Sequence, residues 1–249
     1  MDYMLSTVVW NQILNFLKSE RFIHTKDEQN LRIFMEAIWF ILRSGCQWRL
    51  LPSYYGNWRS VHKRYKQWSD KGIWTRLMES VSDIDGEAVM LDSTIVRAHA
   101  CASGYQKNGN DAQALGRSKG GFTTKIHALV DALGNPIKFI VTPGQRNDIT
   151  QAETLLQDTK NTIILGDKGY YSTCLTSKME GRSCNVVIPC KKNSINKRLI
   201  DSWLYKERHL IENFFSKIKH FRRVFSRFDK TVSAFLGFIH LAGTLIWTR

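Results

Sequence analysis

The stretch Tyr205-Lys-Glu-Arg208-His-Leu-Ile-Glu212-Asn-Phe-Phe-Ser-Lys-Ile-Lys219 carries the side chains best suited to chemistry. It holds neither proline nor glycine, and Asp201 or Ser202 can cap its start, so it predicts one helix. At about 100° per residue, Tyr205, Arg208, Glu212 and Lys219 share a stripe roughly 60° wide. An aromatic ring, a carboxylate and two cations on one stripe can hold a phosphate beside an acidic group. Glu207 turns about 160° away from Tyr205, toward the apolar side formed by Ile211, Phe214, Phe215 and Ile218. Glu212 is therefore the better candidate for a working carboxylate. A solvated face braced by an Arg208–Glu212 ion pair fits the same spacing.

Two more carboxylates sit where apolar runs end. Ala88-Val-Met-Leu-Asp92 and Thr162-Ile-Ile-Leu-Gly-Asp167 both read as strands running into an aspartate. In such a run an aspartate is costly unless paired or metal-bound, although Asp92 could simply cap a turn. There are 74 residues between Asp92 and Asp167, and 44 between Asp167 and Glu212. Adjacent parallel strands would bring both aspartates to one sheet edge. Carboxylate oxygens suit Mg²⁺ or Mn²⁺, and two such ions about 4 Å apart can serve phosphodiester cleavage. Asp92, Asp167 and Glu212 are thus the candidate catalytic and metal-binding residues. Arg208 and Lys219 are candidates for holding phosphates, and Tyr205 for stacking on a base or sugar.

The elements that would position these residues follow from pattern. Residues 1–84 predict an all-helical domain, a candidate helix-turn-helix-like DNA-binding domain, with helices over Ser6–Leu17, Glu28–Arg43 and Trp58–Trp68. The third mixes Arg59, Lys63, Arg64 and Lys66 with aromatic residues, which suits either a recognition helix or a small packing domain. Residues 85–249 predict a catalytic α/β domain. Within it, Thr123–Asp131 and Pro136–Thr142 flank Ala-Leu-Gly-Asn as a hairpin, and Asp148–Gln157 reads as a short helix capped by Asn147 or Asp148. Gly116-Arg-Ser-Lys-Gly-Gly121 offers Arg117 and Lys119 for phosphates but lacks the strand–helix setting of a nucleotide-binding loop.

The spacing Tyr-(2)-Arg-(3)-Glu-(6)-Lys resembles the signature of DDE transposases of the insertion-sequence-four and insertion-sequence-five families. The surrounding Arg208–Arg223 stretch is similar to the insertion-sequence-five version. Arg43-Ser-Gly-Cys-Gln-Trp-Arg-Leu-Leu-Pro52, Leu91–His99, Gly116–Asn135 and Gly166-Asp-Lys-Gly-Tyr170 resemble the same family. The resemblance implies a ribonuclease-H-like mixed sheet with flanking helices, preceded by the small helical domain, and the triad Asp92, Asp167 and Glu212. It further implies two Mg²⁺ ions, with Mn²⁺ as a substitute. A metal-activated water would cut the strand at the transposon end, and the freed 3′-hydroxyl would attack target DNA. The partners implied are double-stranded DNA, as terminal inverted repeats and as target, and a second copy of the chain once assembled on DNA. Rival readings are a DNA-binding protein without activity and a metal-dependent nuclease that does not transfer strands.

Bulk properties agree with a polyanionic partner. The chain of 249 residues carries a net charge of +14. From Arg182 to Lys230 there are 13 Lys/Arg against four acids. Five cysteines without a C-x-x-C pair indicate neither a zinc ribbon nor a disulfide framework, which suits a reducing cytoplasm. No signal peptide is read, and Val232–Trp247 is short for a membrane span. A cytoplasmic, nucleoid-associated protein of bacterial type is expected.

Overall fold

A computed structural model describes residues 5–103, 112–118, 121–190 and 199–248. It divides into two compact units: residues 84–96 with 114–217, and residues 1–83 with 97–113 and 218–249.

The helical unit begins with α1 (Thr7–Ser19), α2 (Glu28–Ser44), α3 (Trp58–Asp70) and α4 (Ile73–Val81). Ser6, Asp27 and Asn57 cap the first three, each accepting a backbone N–H from the first turn. Helix α2 ends at Gly45 with φ +66, where an added Cβ would stand 2.9 Å from Arg222 Cβ, so glycine serves both the turn and the close approach. The expected helical periodicity of α3 is met: Val61, Tyr65 and Trp68 are buried, while Arg59, Lys63 and Lys66 are exposed. Tyr65 stacks on Phe238 at 4.4 Å and donates its hydroxyl to the Ala234 carbonyl at 2.6 Å. Both partners lie far along the chain, so this unit is assembled from both ends of the sequence.

The sheet contains β1 (Ala88–Ala98), β2 (Gly116–Ser118), β3 (Gly121–Val130), β4 (Pro136–Pro143), β5 (Ile163–Gly166), β6 (Asn185–Val187) and β7 (Ser226–Arg227). Its order is β2-β3-β1-β5-β6, with β4 beside β3 and β7 beside β1. β5 runs parallel to β1 and β6 parallel to β5, whereas β3 and β4 form an antiparallel hairpin. Helices α5 (Ile149–Leu155) and α6 (Thr173–Glu180) follow in the order expected of a mixed α/β sheet. Val89, Leu91, Ile164, Ala152, Leu155 and Met179 share one apolar cluster, so α5 and α6 cover the face of β1 that bears Val89 and Leu91. Strand alternation puts Met90 and Asp92 on the other face.

Asp131 organises the hairpin turn. Its fully buried carboxylate accepts the backbone N–H groups of Leu133 at 3.0 Å and Asn135 at 2.7 Å. Gly134 adopts φ +80 with Leu210 O only 3.2 Å from where a Cβ would be. The turn therefore abuts the start of the later helix α8 (His209–Lys219), and Phe139 of β4 stacks on Phe214 of α8 at 5.8 Å.

The single helix expected across Tyr205–Lys219 is two helices. α7 (Ser202–Lys206) and α8 are separated at Glu207 and Arg208. There the backbone tightens into three-residue hydrogen bonds: Arg208 N–H to Tyr205 O, Leu210 N–H to Glu207 O and Ile211 N–H to Arg208 O. Asp201 caps α7 by accepting from Trp203 and Leu204 N–H. The short helix α9 (Arg222–Phe225) precedes β7, and α10 (Val232–Trp247) closes the chain with Phe235, Phe238, Leu241 and Leu245 buried. No helix among the described residues is long and apolar enough to cross a membrane.

Candidate active site

β1 does not stop at Asp92. It continues to Ala98, so the aspartate sits inside a strand. The register pairs Leu91 with Gly166, the last residue of β5, and Asp92 and Asp167 each follow one residue later in the chain. Gly166 permits this pairing at close range, since a Cβ there would meet Leu91 Cδ2 at 3.1 Å. Asp167 begins a 3₁₀ turn over Lys168–Tyr170.

Arg208 links the first and third acids. Its Nη1 donates to Asp92 Oδ2 at 3.1 Å, and its Nη2 donates to Glu212 Oε1. Arg208 and Asp92 are equally shielded, each with a side chain 21% exposed, while Glu212 is 55% exposed. Burial pushes the Asp92 carboxyl above the usual aspartate range; the Ser93 N–H and Arg208 oppose this, and the Asp167 and Asp148 charges add to it. The Tyr205 ring lies 5.9 Å from the Arg208 guanidinium. The Arg208–Glu212 pair expected of a solvated face is therefore present, but Arg208 also reaches across to a strand. Ile211, Phe214, Phe215 and Ile218 form the buried side of α8, leaving Glu212 exposed.

The other candidate cations lie on separate elements. Arg59 and Lys63 are on the exposed face of α3, and Arg117 is exposed on β2 with its guanidinium 5.7 Å from the Phe122 ring. Lys219 is the last residue of α8. Lys119 lies outside the described residues.

Several polar residues near Asp92 were not anticipated. Ser93 N–H donates to Asp92 Oδ1 at 2.7 Å, and Ser93 Oγ donates to Asp148 Oδ1 at 2.7 Å. Lys125 Nζ also reaches Asp148 Oδ1, at 2.9 Å. Asp148 opens α5 but makes no capping hydrogen bond there. That mismatch is the signal: its sequence position suits a cap, yet its carboxylate is committed to a strand.

Comparison with known proteins identifies the family. A model described as "Transposase DDE domain" matches residues 84–246, and the chain belongs to that family of enzymes. A second model, "Putative transposase of IS4/5 family", matches residues 5–78, so the type is IS4/5. The "Putative transposase for insertion sequence element IS6501" of Brucella ovis is 40% identical over 131 residues, covering 51% of this chain and 99% of that one. The "Uncharacterized protein y4sN" of Sinorhizobium fredii is 34% identical over 99 residues, covering 39% of this chain and 79% of that one. The piggyBac transposase synaptic complex superposes with TM-score 0.51 at 10% identity, covering 99% of this chain and 72% of that chain. At that identity the likeness concerns the fold, which is ribonuclease-H-like.

Membership implies dependence on a divalent metal ion. The donor chemistry fits: three carboxylates are hard oxygen ligands, and a cation, the Arg208 guanidinium, already stands between two of them. Among the described residues no three acidic, histidine or cysteine side chains are drawn together closely enough to hold a metal as they stand.

Proposed function

We propose that this transposase binds transposon-end DNA, cleaves phosphodiester bonds with two divalent ions, and joins the 3′-hydroxyl ends to target DNA. The observation that supports the reading is the pairing of Leu91 with Gly166, one residue before Asp92 and Asp167, together with the Arg208 bridge from Asp92 to Glu212. Asp92, Asp167 and Glu212 would hold Mg²⁺, or Mn²⁺ in its place. When bound, a pair of such ions supplies charge stabilisation to both the attacking and the leaving oxygen.

The chain's own residues do the rest. Arg208 neutralises two of the acids until a DNA phosphate arrives, then turns its fork toward the phosphate and frees the carboxylates. Tyr205 stacks beside it on a base or sugar, and Lys219 adds a phosphate contact one helix end away. Residues 1–84 serve end recognition, with Arg59 and Lys63 facing the duplex, and residues 85–249 serve the chemistry. Arg117 and Lys119 hold the backbone near the hairpin. Two copies of the chain pair on DNA, one per transposon end, and the protein works among the nucleoid DNA of a bacterial cytoplasm.

The test is purified protein with its cognate transposon-end duplex, Mg²⁺ and a target plasmid, with products read at nucleotide resolution. Nicks at the transposon end followed by joined products are expected. Nicks without joined products would make the protein a nuclease, and binding without nicks would make it a DNA-binding protein.

A further inference from the structure

Behind Asp92, on the α5 face of the sheet, lies a polar group that the reaction as described does not use. Ser93, the next residue along β1, turns to this face and donates its hydroxyl to Asp148 Oδ1 at 2.7 Å. Lys125 Nζ joins the same oxygen at 2.9 Å and is anchored on Arg146 O at 2.7 Å. His127 is fully buried with Nδ1 3.8 Å from that oxygen, and Nδ1 makes no hydrogen bond. The other carboxylate oxygen, Oδ2, lies 3.9 Å from where a Cβ on Gly169 would be, so the turn that follows Asp167 rests against it. Tyr170, in that same turn, is buried.

We infer that Asp148 is a positioning residue of the active site, fixing Asp92 through Ser93 and Asp167 through the Lys168–Tyr170 turn. The chain of contacts is short. Asp148 holds the Ser93 side chain, and the Ser93 N–H holds Asp92 Oδ1 at 2.7 Å. Asp92 then presents its remaining oxygen, Oδ2, which in this structure faces Arg208. One carboxylate thus locks the segments bearing two acids of the triad from behind the sheet. Lys125 balances its charge, so the lock adds little net negative charge to the site. Groups that orient metal ligands in this way typically change metal affinity by about 10- to 100-fold when removed. The inference rests on the reading that Asp92 and Asp167 hold the metal.

The experiment titrates the full-length protein with Mn²⁺ alone, followed by electron paramagnetic resonance, beside thermal melts and the Mg²⁺ dependence of cleavage. Asp148→Asn and Ser93→Ala should each weaken Mn²⁺ binding by about 10-fold or more. The half-saturating Mg²⁺ concentration for cleavage should rise in step, with most of the maximal rate recovered at high metal. Ser93→Thr keeps the hydroxyl and should recover Mn²⁺ binding. Wild-type Mn²⁺ affinity in either Asp148→Asn or Ser93→Ala would overturn the inference, as would Ser93→Thr behaving like Ser93→Ala. If Asp148→Asn fails to fold, the two Ser93 variants decide. Asp92→Asn separates the levels. Wild-type Mn²⁺ binding in that variant would overturn the triad itself and this inference with it. Loss there, with Asp148→Asn unaffected, would overturn only the role of Asp148.

Discussion

Arg208 Nη1 donates to Asp92 Oδ2 at 3.1 Å across 116 residues of sequence. The same guanidinium holds Glu212 one helical turn away, so a single cation joins a strand acid to a helix acid. Removing it should leave Asp92 shielded beside Asp167 without a counter-charge. In Arg208→Gln the Asp92 carboxyl, already raised by burial, should titrate higher still, read by carbon NMR in the metal-free protein. DNA affinity should also fall, with the salt dependence shallower by about one unit. An unchanged Asp92 titration and an unchanged salt slope would contradict both roles.

Glu212 and Glu207 make an internal comparison. Glu212 is on the exposed side of α8, while Glu207 is exposed in the tight turn between α7 and α8. Glu212→Gln should lose more cleavage than the roughly 10- to 100-fold typical of groups one step behind a metal. Glu207→Gln should stay close to wild type in cleavage and strand transfer. Equal activity in the two variants would remove Glu212 from the triad.

Helix α3 offers a test of end recognition. Arg59→Ala with Lys63→Ala takes two exposed cations from a face whose opposite side is packed on α10. Folding should be unaffected, with melting within a few degrees of wild type. Affinity for transposon ends should drop. A loss confined to cognate ends would indicate base contacts, while a loss on all DNA with a salt slope lower by about two units would indicate phosphate contacts. Unchanged binding to both would make α3 a packing helix.

Acid should weaken the helical unit through His240. This histidine is buried in α10 with Nδ1 donating to Leu236 O at 3.0 Å, and desolvation lowers its pKa to about 4. The unfolded chain, with an ordinary histidine pKa near 6.5, binds the proton first. Stability is therefore complete above about pH 6.5 and falls as pH drops toward 4, by up to about 3 kcal/mol. Urea unfolding from pH 7 to 4 should show this slope in wild type and a shallower one in His240→Gln. Identical slopes would assign the acid sensitivity elsewhere.

The local elements were legible because their causes are local. The helical periodicity of Glu28–Arg43 and Trp58–Trp68, the Ala-Leu-Gly-Asn turn and the apolar runs before Asp92 and Asp167 each announce themselves within a few residues. The core side of α8 was legible for the same reason. The break at Glu207–Arg208 was not, since no proline or glycine marks it. The three-residue bonding there coincides with Arg208 reaching a strand acid far back in the chain, a tertiary demand that periodicity does not encode. Asp148 holds the capping position of α5 as expected, but its carboxylate goes to Ser93 and Lys125, and neither is near it in sequence. Likewise the contact of Tyr65 with Ala234 spans 169 residues and leaves no trace in either segment alone.

That Asp92 sits within β1 rather than at its end bears on which lesions this chain can survive. Strand residues alternate between faces, so inserting or deleting one residue between Ala88 and Leu91 would either slip the register or turn Asp92 toward the face that packs α5. The close seat of Gly166 against Leu91 leaves little room for a slipped pairing. On the proposed mechanism, a copy with such a one-codon indel would keep all three acids in its sequence and still be silent. Counting intact acids in related copies therefore overstates how many can act, and the number of residues from Ala88 to Asp92 is the sharper criterion.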